Sequence, residues 1–312
     1  MMKRSFFLGL LIIVIHFFQT ILAHPSWGIV VDDNGCIYFA DVMHNGDGTL
    51  WRIDPETHEL EAVFKNFHAH QIYMDAHQNI FAGVAIWRTG EIEGEGHNYL
   101  FKYETKTKTM DTLLFTDDWD EYHGQNFALS IDWNSIYFTM DKQIHMKPLN
   151  GETSPLIDHI FGHVDTMITD KDGVLWITDS QANNGTLYQW SSDKGLVTYA
   201  QDLMPQNPKD PLFEEKRHQT FYGIGFSHEG FPLLTENASR SIHEVAENGS
   251  SKVVYHSEAY WSPSGVYFKN DHYYIIETGY HRGHLGPRIV ITDTNFKMLK
   301  IYSIDFSMNS LK

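Results

Sequence analysis

The chain is 312 residues long, carries a formal net charge of −17 and contains one cysteine. So acidic a surface argues against nucleic acid or an anionic membrane as partner, and a lone cysteine excludes an intramolecular disulfide, leaving the fold to its core. Aromatic residues make up 14% of the chain and 19 residues are histidine; with few helix-favouring runs, that excess points to an all-β core.

In chain order, Met1-Met2-Lys3-Arg4 precedes SFFLGLLIIVIHFFQTILA (5–23). A basic start, an apolar stretch and a small residue at its end read as a secretory signal peptide over 1–23. The rival reading is an uncleaved anchor, against which His16, Gln19 and the modest apolar length count. No later stretch is apolar enough to span a bilayer. The expected product is a secreted or periplasmic protein over 24–312 without stable membrane insertion. Its single cysteine, Cys36, suits a bacterial periplasm better than a eukaryotic secretory route.

From there one pattern recurs six times. A β-rich segment follows a turn: GCIYFAD (35–41), NIFAGV (79–84), SIYFTMD (135–141), GVLWITD (173–179), GFPLLTE (230–236) and HYYIIE (272–277). Before each lies another β-type segment, such as GIVVD, QIYMD or FALSID, and two more follow. Four short strands repeated six times, with a period of about 50 residues, predict a six-bladed β-propeller of four-stranded antiparallel blades. The blades run over about 24–66, 67–121, 122–160, 161–217, 218–259 and 260–306, as one domain. WRTGEIEGEGHN (87–98) and TGYHRGHLGP (278–287) read as loop insertions between second and third strands.

In this geometry the first strand of each blade lines the central channel. Its start and the end of the second strand share one mouth, the expected binding face. The first-strand starts bring His68, His70, His123, Gln125, Asn126, His163, Asp165, Gln219, Tyr222, Ser262 and Ser264 there. Three imidazoles would suit zinc; Asn126 and Asp165 with water would suit calcium. The second-strand acids Asp41, Asp179, Glu236 and Glu277 read as structural acceptors for the loops that follow them.

HPSWGIVVDDNGCIYFAD and WSPSGVYFKNDHYYIIE resemble the repeat of NHL-type six-bladed propellers. QNFALSIDWNSIYFTMD is similar to the P-N-G-x-A-x-S-x-D-x-x-x-L-Y-x-x-D pattern of the gluconolactonase/regucalcin (senescence-marker-protein) family, and HVDTMITDKDGVLWITD resembles its next blade. The resemblance implies a divalent cation held by a Glu, an Asn and an Asp. The Asn falls on Asn126, the Asp on Asp165 and a substrate-facing position on His70. The glutamate position holds Trp27, which cannot ligate a metal.

A bound cation, calcium or zinc, would permit lactone or ester hydrolysis, with His70 as general base and also a metal ligand, and His68 and His163 as reserves. Gln125, Tyr222, Trp87, Arg88, Tyr280 and Arg282 are the candidate substrate contacts. Two other functions stand beside the hydrolase. One is a non-catalytic propeller that binds a small molecule or glycan. The other is a metal-and-histidine lyase, since the chain also resembles streptogramin lyase.

Overall fold

The computed structural model describes residues 25–42, 48–87, 96–124, 126–208, 219–281 and 284–303; the expected signal segment lies outside them. The described chain is all-β. Twenty-four strands form six four-stranded antiparallel sheets, each from one contiguous run. The chain is a six-bladed β-propeller. The first strands are Ile29–Val31, Ile72–Met74, Phe127–Leu129, Val164–Thr169, Phe221–Phe226 and Trp261–Lys269.

Local chemistry explains the repeat. An acid at the end of the first strand folds the turn that follows it, because its carboxylate accepts from backbone N–H groups two and four residues on. Asp32 takes Asn34 N at 2.9 Å and Cys36 N at 2.8 Å. Asp75 takes His77 and Asn79, and Asp170 takes Asp172 and Val174. The residue three on from the acid is in the left-handed region: Gly35 (φ 81°) and Gly173 (φ 83°), but also Gln78 (φ 71°). In blade 3 the same position is Trp133, at φ 61°.

The core lies between blades, where apolar side chains of neighbouring sheets interleave. Phe81 and Leu100 of blade 2 meet Tyr122, Phe127 and Phe138 of blade 3. Phe39 and Trp51 of blade 1 meet Ile276 and Ile289 of blade 6. Near the axis the backbones approach so closely that a Cβ at Gly28 would strike Ile72 N, and one at Gly265 would strike the Trp27 carbonyl.

The first expected insertion lies mostly outside the described residues, between strands Asn79–Trp87 and Gly96–Glu104. The second differs from expectation, since strand His272–His281 pairs with His284–Thr292. Residues 278–287 are mostly paired strand, with Thr278 opposite Pro287 and Gly279 opposite Gly286. Their glycines and proline suggest a loop, but the ladder simply extends beyond the blade as a hairpin.

Candidate functional site

The channel has two mouths. At the upper one the first strands begin, and pairing brings the second-strand ends back to it: Val164 lies opposite Asp179, Phe221 opposite Glu236 and Pro263 opposite Glu277. Three of the predicted residues, Asn126, Asp165 and Ser264, take part here in bonds from blade to blade. Ser26 Oγ donates to Ala69 O at 3.1 Å. Gly124 N donates to Asn98 Oδ1 at 3.0 Å. Asn126 Nδ2 donates to Val164 O and Asp165 O at 3.1 and 3.0 Å. Thr220 Oγ1 donates to the Asp165 carboxylate, Thr235 Oγ1 to Ser264 O at 2.9 Å, and Ser264 Oγ to Ser26 O at 2.8 Å. These bonds cross all six blade interfaces, so the mouth is a polar girdle that closes the ring.

Asp165 is the most perturbed group in it. Its side chain is 1% exposed, and both oxygens are engaged, Oδ1 by Ser180 Oγ and Thr220, Oδ2 by Ser180 N at 2.6 Å. Burial pushes the carboxyl up to about 8, against the lowering pull of those hydrogen bonds. His163 Nε2 stands 3.8 Å from Oδ1 on a side chain that is 59% exposed.

His70 is buried, stacked on Trp27 at 5.2 Å and edge-on to His68 at 5.1 Å. His123 packs on Trp119 at 4.8 Å, and burial lowers it to about 4, so it is neutral at pH 7. Tyr222 is also buried, its hydroxyl accepting from Asn237. Gln125, Arg88 and Arg282 lie outside the described residues, as do the side chains of Trp87 and Tyr280.

The implied cation can be tested against these residues. Asn126 Oδ1 is buried without a partner among the described residues and is an oxygen of the kind calcium takes. Asp165, however, spends its oxygens on Ser180 and Thr220, and Trp27 offers none. Among the described residues no three His, Cys, Asp or Glu side chains form a group that could hold a metal ion. The donor set does not fit a calcium or zinc centre.

The second-strand acids serve the fold. Asp179 accepts from the backbone N–H groups of Gly162, His163, Gln181 and Ala182, and Glu236 accepts from Ala238 and Ser239. Glu277 departs from that pattern. It takes Tyr255 and Ser257 from the preceding blade and Arg288 from its own third strand.

The lower mouth, where the first strands end, has a different character. It opens into a funnel of about 530 Å³ along the channel. Ile29, Ile168, Ile224 and Val266 form its walls, with the aromatic side chains of Trp133, Phe226 and Tyr267. Trp133 is fixed against Phe81, ring centroids 4.7 Å apart. Sequence reasoning looked to the strand starts and missed this site. The available signal was the tryptophan standing where blades 1, 4 and 5 place glycine.

No described family matches the sequence, and no curated protein matches it. Solved structures do resemble it. A gluconolactonase-like propeller shares 12% identity over 88% of this chain and 90% of its own, with a TM-score of 0.58. Virginiamycin B lyase from Staphylococcus aureus shares 12% over 90% and 84%, at 0.54. A protein described as an auxiliary nutrient binding protein from Bacteroides thetaiotaomicron shares 12% over 89% and 69%, at 0.55. The likeness is one of fold.

Proposed function

We propose that the protein is an exported, non-catalytic binding propeller that holds a small, largely apolar molecule in the lower funnel of its channel. The funnel carries this reading. Its volume of about 530 Å³ falls within the few hundred to a thousand cubic ångströms typical of small-molecule sites, and its walls are mainly hydrophobic and aromatic. Trp133 supports it, because a bulky residue in the left-handed region is strained unless its surroundings hold it there. Fold alone does not choose a function, since neighbours of this architecture are described both as enzymes and as a binding protein. The acidic, single-cysteine chain and its first 23 residues support export. A fluorescence titration with a small aromatic probe tests the reading. Saturable one-to-one binding, weakened at least tenfold in Trp133→Ala, is expected; no saturation would refute it.

One observation favours a second reading, hydrolysis at the upper mouth. Asp165, raised into the neutral range beside His163, is an acid of the kind that catalytic sites use. Lactone or aryl-ester turnover abolished in both Asp165→Asn and His163→Ala would establish it. Turnover that survives either change would exclude it.

A further inference from the structure

The outer rim of the propeller is made by the fourth strands, each the terminal strand of its sheet. An open strand edge is a template for pairing, and chains blunt such edges with charge, proline or short length. Leu60–Lys65 carries Glu61 and Lys65, Ser154–Ile157 is only four residues long and contains Pro155, and Ser251–His256 and Met298–Ser303 carry Lys252 and Lys300. Two edges are less guarded. Gly195–Ala200 is uncharged, and Thr109–Thr116 (TMDTLLFT) has eight residues with Asp111 as its one charge.

Thr109–Thr116, in blade 2, adds two features of its own. Phe115 is 51% exposed, and it lies 5.0 Å from Tyr99, which stacks on Phe101 at 5.1 Å. The strand is also polarised in charge. Lys106 and Lys108 precede it, Asp117 and Asp118 follow it, and all four are exposed.

An antiparallel partner of the same sequence reverses that order and sets basic against acidic residues at both ends. With Thr109 of one copy opposite Thr116 of the other, the two-fold axis passes between Thr112 and Leu113. Leu113 is the extra residue of a bulge in the ladder, and the regular runs on its two sides, 109–111 and 114–116, then face each other. Met110 and Phe115 lie opposite Tyr103 and Tyr99, on one face of the blade. Met110 of each copy therefore meets Phe115 of the other, and Lys108 meets Asp117. Apolar and opposite-charge pairs across strands add to the ladder bonds themselves, and a contact of this kind is closed by its own symmetry. We propose that two copies of the chain associate through antiparallel pairing of Thr109–Thr116, which joins blade 2 of each into one continuous sheet.

Analytical ultracentrifugation of the full chain and its variants tests this, with circular dichroism to establish that each variant is folded. A dimer is expected at tens of micromolar. Phe115→Lys should weaken it by about tenfold or more, whereas Val197→Lys, on the uncharged edge of blade 4, should leave it unchanged. Changing Lys106 and Lys108 together to Glu sets acids against acids, and changing Asp117 and Asp118 together to Lys sets bases against bases. Each double variant alone should dimerise about tenfold more weakly or worse. Mixed in equal amounts, the two should form a heterodimer as tight as the native dimer. A native chain that stays monomeric, a dimer lost in Val197→Lys but kept in Phe115→Lys, or double variants that fail to pair when mixed would overturn the proposal.

Discussion

The two mouths of the channel are made from opposite ends of the same six strands, and they use polarity in opposite ways. At the upper mouth polar side chains are plentiful and consumed. Asn126, Asp165, Thr220, Ser264 and Ser26 bond across the blade interfaces. At the lower mouth polar side chains are few, and the cavity stays open between apolar walls. A concentration of histidines, amides and acids in a sequence marks where a fold needs hydrogen bonds as readily as where it does chemistry. The unfilled volume is the more discriminating sign of a ligand.

That contrast can be broken experimentally, beginning with the girdle. Asp179→Ala removes the acceptor of four backbone N–H groups from a side chain with no exposure. Chemical denaturation should show a loss of about 3 kcal/mol or more. Next, Asp165→Asn keeps acceptor and donor atoms where Ser180 and Thr220 need them, so its stability should stay within about 1 kcal/mol of the native chain. Chelators should shift the melting temperature of neither protein. A calcium-dependent rise that is lost in Asp165→Asn would restore the cation site.

A third change concerns His123. Burial holds its pKa at about 4, below the ordinary value of 6.5, so the native state stays neutral while the unfolded chain takes up a proton. The stability it allows is complete above pH 6.5 and falls as the pH drops towards 4, by about 3 kcal/mol. His123→Phe should flatten that part of the stability profile. The smallest effect is expected of Ser264→Ala, which removes one bond at the closure between blades 6 and 1, for about 1 kcal/mol.

Much of the fold was legible because each blade repeats one local solution. Asp32, Asp75 and Asp170 fold their own turns through bonds to residues two and four positions away, and such spacing is visible in a sequence. The neighbourhood of Asn126 and Asp165 was legible too, through the blade register. What occupies Asp165 was not, since Thr220 arrives from 55 positions along the chain and a different blade. The funnel escaped for a related reason. Ile29, Trp133, Ile168, Phe226 and Tyr267 come from five blades, and each one alone reads as core. The hairpin of blade 6 was hidden by its own composition, because glycines and a proline can sit in a ladder that projects past the sheet.

The most direct measurement is a tryptophan-fluorescence titration with 2-naphthol in excess chelator, run on the native chain, Trp133→Ala and Asp165→Asn. Binding in the lower funnel predicts one-to-one saturation that is unchanged in Asp165→Asn and weakened at least tenfold in Trp133→Ala. Binding that requires a divalent cation and vanishes in Asp165→Asn would contradict it and place the ligand at the upper mouth.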